Sequence, residues 1–388
     1  MQNQPLRIAL FTYSTKLRGS VVHTLELASA LAKMGHSVSL YALDKDGSGF
    51  SRPVTGMAYL VPSQPVITDI DHLIRLRIQE FIDYLGQGHL QSHPYDCYHA
   101  QDCISANALA ELRSQGLIPH LIRTVHHIEA FNSQYLRDCQ DRSIQSADLC
   151  FCVSDYWQKE LAHQYKIEAM RVINGVNSDR FMLKPDGSEA TLKQTLHLTG
   201  SPIYLSVGGI EPRKNSLNLL RAFASILKVH PTAQWVIVGG ATLFDYKSYR
   251  EDFFALAQAL GVVVGESLIL PGVLSDTHLT MLYRIANAFV FPSLKEGWGL
   301  VILEAIAAGL PILTSNQPPF TEFLTDNQAL MVDPHSPTAI AQAMLAISQP
   351  ERARMLVRNS QPICEQYTWE RSATMHVEHY YKLLERHH

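Results

Sequence analysis

Glu296 and Glu304 stand eight positions apart in SLKEGWGLVILEAIAAG, with Gly297 and Gly299 close behind the first. Glu296 falls in a loop-like stretch. Glu304 lies inside an apolar run with Val301, Ile302, Leu303, Ala305 and Ile306. A carboxylate in such company costs free energy unless it is hydrogen-bonded. Sugar hydroxyls are suitable donors, and two acids could hold two different sugars of one ligand. An internal salt bridge or a cap is the competing use for Glu304. A second candidate is SVGGIEPRKNSLNLL, where Arg213 and Lys214 follow a strand pattern and precede a helix pattern. Two cations at a helix N-terminus suit a diphosphate, because fixed charge, N–H donors and the dipole all favour an anion. The competing reading is a solvated basic turn.

Two weaker candidates lie earlier in the chain. His126 and His127 end the run RTVHH and could act as polar contact or proton relay, or stand as satisfied structural residues. Adjacent residues do not easily face one ion, so a metal pair is not expected. Gly19, in TKLRGSVVH, opens a helix and could present backbone N–H groups to an anion, or serve only a tight turn. The chain has no GxGxxG, so a dinucleotide-binding fingerprint and a dehydrogenase are disfavoured.

The elements that would position these residues alternate. RIALFTY and SVSLYAL read as strands around VVHTLELASALAKMGH, a helix with Val21, Leu25, Ala28, Leu31 and Ala32 on one face. YDCYHAQ, HLIRTVHH, DLCFCVS and MRVINGV continue the pattern. Around 182–200 it lapses, which marks a domain junction. It restarts with IYLSVGG, AQWVIVGG, SLILPG and AFVFPS, each followed by a helical segment. Alternating strands and helices imply parallel sheets covered on both faces, with ligands at the carboxyl ends of the strands. YTWERSATMHVEHYYKLLE then reads as a terminal helix that follows a completed second sheet.

The whole composition agrees with two such domains. The chain has 388 residues, 46% hydrophobic and 18% charged, with net charge −4. That balance argues against a general nucleic-acid binder, whose footprint is basic. No apolar run has the length of a bilayer span, and the N-terminus has no signal-peptide pattern. The six cysteines show neither CxxC nor zinc spacing and read as reduced, buried thiols. Together these place the protein in the cytoplasm. The segment PSQPVITDIDHLIRLR carries Arg75 and Arg77 on a helix that could touch a membrane surface or be an ordinary packed helix.

Taken together, these stretches resemble the GT-B-fold retaining glycosyltransferases of family 4, also called glycosyl transferase group 1. Its E-x7-E motif corresponds to Glu296 and Glu304 in EGWGLVILEA. PRKN is similar to the donor-phosphate clamp, VINGVNSDRF to the signature before the interdomain linker, and LPGVLSDTHLTMLY to the stretch lining the nucleotide base. TEF, with Glu322, resembles a further acidic position after the next strand. The resemblance implies an α/β protein of two Rossmann-like doubly wound parallel-sheet domains facing a central cleft. Residues 1–181 would form the acceptor-side domain, with 366–388 crossing back to it, and 198–365 the nucleotide-sugar domain.

The resemblance also implies roles. Lys214 and Arg213 would neutralise the leaving diphosphate, with the backbones of Gly299 and Leu300 and, from the other domain, Gly19. Glu304 would bind the ribose and Glu296 the donor-sugar hydroxyls. His126, with His127 beside it, would lie near the transferred sugar. Gly209, Gly272, Val273, Leu274, Gly297 and Trp298 complete the expected substrate contacts. Three positions depart from the pattern: Ser20 follows Gly19 where many relatives have a second glycine, Gly209 replaces a common arginine, and His127 follows His126 where the usual pair is His-Asp or His-Gly, which leaves open which histidine faces the sugar. The implied reaction moves a sugar from a UDP- or GDP-sugar to a hydroxyl of a sugar, a lipid-linked acceptor or a small molecule. It retains the anomeric configuration and uses no cofactor or metal. A GT-B-type nucleotide-sugar epimerase and a non-catalytic nucleotide-sugar binder are the alternatives. No motif decodes the base, acceptor or oligomeric state.

Overall fold

The computed structural model describes residues 4–66, 68–181, 186–240 and 246–386. It divides into two compact units, one of residues 1–175 with 369–388 and the other of residues 176–368. Each has a parallel sheet of its own.

In the first unit the strands are β1 (Arg7–Thr12), β2 (Ser37–Asp44), β3 (Met57–Pro62), β4 (Cys97–Ala100), β5 (Ile122–Val125), β6 (Leu149–Cys152) and β7 (Met170–Arg171). Their order is β3-β2-β1-β4-β5-β6-β7, and every pairing is parallel. β1 and β2 are buried at every position but their first. That explains their nearly unbroken apolar sequences, since a parallel sheet is covered on both faces. β3 is an edge strand and mostly exposed, although its sequence MAYLVP is apolar throughout. Helices enter with side-chain caps at Asp102 and Ser154, which accept from the backbone N–H of Ser105 and Trp157. The terminal helix Trp369–Glu385 packs in this unit, with Tyr380 Oη 2.7 Å from His99 Nδ1.

The second unit contains β8 (Ile203–Val207), β9 (Gln234–Val238), β10 (Leu268–Gly272), β11 (Ala288–Phe291), β12 (Ile312–Ser315) and β13 (Ala329–Val332). Their order is β10-β9-β8-β11-β12-β13, again all parallel. Tyr204, Phe223, Trp235 and Phe253 lie in its core. The 182–200 segment, patternless in sequence, differs from a bare junction. Met182–Pro185 lie outside the described residues, but Ser188–Thr195 is a helix of the second unit. Its Glu189 pairs at 2.6 Å with Arg284, a side-chain contact that hydrophobic periodicity does not register. The first unit ends at Gly175 rather than 181.

Candidate active site

In the second sheet the chain runs outward from β8 through β9 to β10, then returns to add β11 on the other side of β8. The loops after β8 and β11 therefore diverge and leave a crevice at the carboxyl edge, where doubly wound sheets bind ligands. The first loop carries Gly208 through Asn215 and enters the helix Ser216–Leu227. The second carries Pro292 through Gly299 and enters the helix Leu300–Ala307. Asn215 laces them together. Its φ is 61°, a left-handed conformation that asparagine tolerates better than most residues. From there its amide donates to the carbonyls of Pro292, at 3.0 Å, and Pro334, at 2.6 Å. The Leu294 N–H donates to the Arg213 carbonyl at 2.8 Å.

The charged residues of the two loops meet. Glu296 Oε1 accepts from Lys214 Nζ at 2.6 Å and from Arg213 Nη1 at 3.0 Å, while Arg213 Nε reaches Glu211 Oε2 at 3.0 Å. The Lys214 and Glu296 side chains are 12% and 9% exposed, so this is an interior triad rather than a surface pair. The ammonium also lies 4.3 Å from the centre of the Phe291 ring. Burial, with Arg213 next to it, pushes Lys214 down to about 8 against the pull of Glu296. Burial alone would raise Glu296; Lys214 and Arg213 overcome it and hold the carboxyl below its ordinary range. Glycine makes room for the lysine stem: a Cβ on Gly208 would sit 2.7 Å from Lys214 Cε, and one on Gly209 2.6 Å from the Gly240 carbonyl oxygen.

Gly299, at φ 104°, begins the helix that carries Glu304, and no side chain caps that N-terminus. Glu304 is half-buried, and Tyr283 Oη donates to its Oε2 at 2.9 Å. Glu296 is half-buried as well, with its side chain only 9% exposed, although its sequence neighbours are the more polar. Trp298 is 2% exposed and stacks on Phe323 at 4.6 Å, so its indole is packed inside the second unit. Glu322 ends a 3-10 turn and is half-buried. Gly272 ends β10, and Val273 and Leu274 follow it. Val273 is 75% exposed beside the helix Asp276–Ile285, which Ser275 caps.

The first unit holds the remaining candidates. Gly19 is the first residue of the helix Gly19–Lys33; it has no positive φ and open space where a Cβ would stand. His126 follows β5, with Nε2 3.2 Å from Gln101 Oε1 and its ring edge-on to His23 at 4.8 Å. Burial, then His23 and Arg123, hold it well below its ordinary value, so it is neutral. His127 instead pairs with Glu129 at 2.8 Å and is 37% exposed. In the helix Ile70–Gly86, Arg77 is buried against Glu80 at 2.7 Å, and Arg75 stacks on Tyr135 at 3.6 Å. Those contacts are of a packed helix. Among the described residues no three His, Cys, Asp or Glu gather as a metal site, and no helix is long and apolar enough to cross a membrane.

Sequence reasoning passed over Glu211, Asn215 and Tyr283. The first two stand within the basic loop itself, so their signal was position. Tyr283 is 21 residues from its partner and carries no local signal.

Comparisons with known proteins agree with this architecture. Residues 188–361 match the family described as glycosyl transferases group 1, and residues 17–180 match glycosyltransferase family 4. O-antigen chain mannosyltransferase B of Escherichia coli is 28% identical over 69% of this chain and 72% of its own length. D-inositol 3-phosphate glycosyltransferase of Corynebacterium glutamicum is 24% identical over 87% of this chain and 85% of its own. Among solved structures, sucrose-phosphate synthase from Thermosynechococcus elongatus superposes with a TM-score of 0.81 at 21% identity, covering 98% of this chain and 100% of that one. Anabaena HepE in complex with UDP and glucose gives 0.76 at 16%, covering 97% and 100%. With both halves of the chain matched and two parallel-sheet units in place, the chain belongs to the group 1 glycosyltransferases: it is a hexosyltransferase of GT-B fold that draws on nucleotide-sugar donors.

Proposed function

We propose that the enzyme transfers a hexose from a UDP- or GDP-sugar to an acceptor hydroxyl, with retention at the anomeric carbon and without a metal ion. The observation that carries this reading is the Lys214–Glu296–Arg213 triad at the switch point of the second sheet. A diphosphate placed there meets two cations and the uncapped helix N-terminus at Gly299 and Leu300. Glu296 holds Lys214 in place before the donor arrives and accepts from the donor-sugar hydroxyls afterwards. Glu304 takes the ribose. In the reaction the bond from the anomeric carbon to the β-phosphate oxygen breaks, and its electron pair stays on the diphosphate. The acceptor oxygen bonds to the same face of the sugar, and its proton passes to the departing phosphate. The acceptor is a sugar, a lipid-linked hydroxyl or a small molecule. The arginines of the helix Ile70–Gly86 are engaged with Glu80 and Tyr135, which favours a packing role for it over a membrane contact.

Transfer should persist in excess EDTA, and the anomeric proton coupling of the product, read by NMR, should match that of the donor. Complete loss with EDTA that magnesium or manganese restores would overturn the cation clamp. An inverted product would overturn retention.

A further inference from the structure

Tyr283 is fully buried, yet its hydroxyl points at a functional acid. The ring lies 5.7 Å from that of Phe181 and 5.8 Å from that of Phe289, in a pocket that phenylalanine would fill equally well. The hydroxyl donates to Glu304 Oε2 at 2.9 Å, with the Val301 carbonyl more distant at 3.4 Å. We infer that Tyr283 is a positioning residue: its phenol fixes Glu304 in one rotamer and turns the rest of the carboxylate to the nucleotide ribose. This rests on the reading of Glu304 as the ribose ligand.

The case is physical. Glu304 stands on a short helix with Val301, Ile302, Leu303 and Ala305 as its sequence neighbours, and the phenol is a buried polar anchor for its flexible stem. A phenol has one proton to give, and the shorter contact shows where it goes. Burial, with the nearby Glu304 charge, holds Tyr283 far above its ordinary range, so it remains a donor at any working pH. The helix Asp276–Ile285 that carries Tyr283 begins just after Gly272, Val273 and Leu274, and Arg284 ties it to Glu189. One rigid element therefore joins the loop proposed to line the base to the acid proposed to hold the ribose. A preformed rotamer spares the ligand the entropy of ordering that side chain.

The test is a double-mutant cycle on the full chain. Calorimetry measures the Kd of UDP or GDP, whichever wild type binds more tightly, and of its 2′,3′-dideoxy analogue. Tyr283→Phe should weaken the nucleotide roughly two- to tenfold, the range expected for one hydrogen bond. Donor KM should rise by the same factor while kcat changes less. The effect should vanish with the dideoxy analogue and in a Glu304→Gln background. An equal loss in both backgrounds, or no loss in Tyr283→Phe where Glu304→Gln binds weakly, would overturn the positioning role alone. Wild-type-like binding by Glu304→Gln would overturn the ribose assignment and the inference with it.

Discussion

Lys214→Met removes the ammonium and keeps much of the stem, so it separates charge from packing. Lys214 sits at about 8 instead of the ordinary lysine value of 10.5, a depression already net of the pull of Glu296. It amounts to roughly 3 kcal/mol that folding gives up to keep the cation charged at neutral pH. Removing the ammonium returns that cost, and Glu296 keeps Arg213 at 3.0 Å. The variant should therefore melt no lower than the native enzyme. The rate should respond more strongly. Lys214 meets charge that grows as the diphosphate departs, and loss of one such donor lowers kcat by roughly 10² to 10³. The assay is steady-state kinetics on protein shown to be folded by circular dichroism, with saturating donor. The native enzyme supplies a second readout. As Lys214 loses its proton above about pH 8, kcat/KM should decline on the alkaline side. Bound diphosphate stabilises the charged form and should move the corresponding limb of kcat upward. A folded Lys214→Met enzyme with near-normal kcat and KM, or activity lost only in proportion to unfolding, would refute the phosphate clamp.

Other outcomes follow from the same geometry. Glu304→Gln should mainly raise donor KM, because the ribose does not change charge during reaction; a selective fall in kcat would contradict that role. The first unit should be acid-sensitive. Burial drives His23 down to about 4 and His376 down to about 3, while the unfolded chain takes up protons near 6.5. The stability of the neutral forms is therefore complete above 6.5 and is lost as pH falls from there toward 4 and 3. Melting curves from pH 7 to 4.5 should show Tm declining through that window, and an unchanged Tm would exclude the effect.

The parts of the site that were legible in the sequence are those built within one strand–loop–helix segment. Glu296, Gly299 and Glu304 lie on one such segment, and Arg213 and Lys214 on another, so residue order alone places each group at a strand end. What joins the segments was not legible. Asn215 reaches Pro292 and Pro334, 77 and 119 positions away, through a left-handed backbone that sequence does not announce. Trp298, which the resemblance places among the substrate contacts, stacks on Phe323, a packing partner that its sequence neighbours do not reveal. Glu296 is only 9% exposed at its side chain although its sequence neighbours are polar, because long-range packing, not neighbouring residues, sets exposure. In the fold, Ser188–Thr195 was hidden because its anchor is an ion pair.

The return of Trp369–Glu385 to the first unit has a consequence for biosynthesis. His99 is made early, yet its Tyr380 partner is 281 positions later, and His23 waits longer still for the ring of Trp369 at 5.3 Å. At about 5–20 residues per second, the ribosome needs roughly 15–55 s to pass from His99 to Tyr380. The later-made unit, residues 176–368, is continuous and can close as it emerges. The earlier-made unit cannot finish until translation is nearly over. A nascent chain thus folds from its middle outward, leaving a histidine-lined face open in the meantime. A stop codon before residue 369 should injure the N-terminal half, far from the missing residues in sequence, and leave the nucleotide-binding half folded.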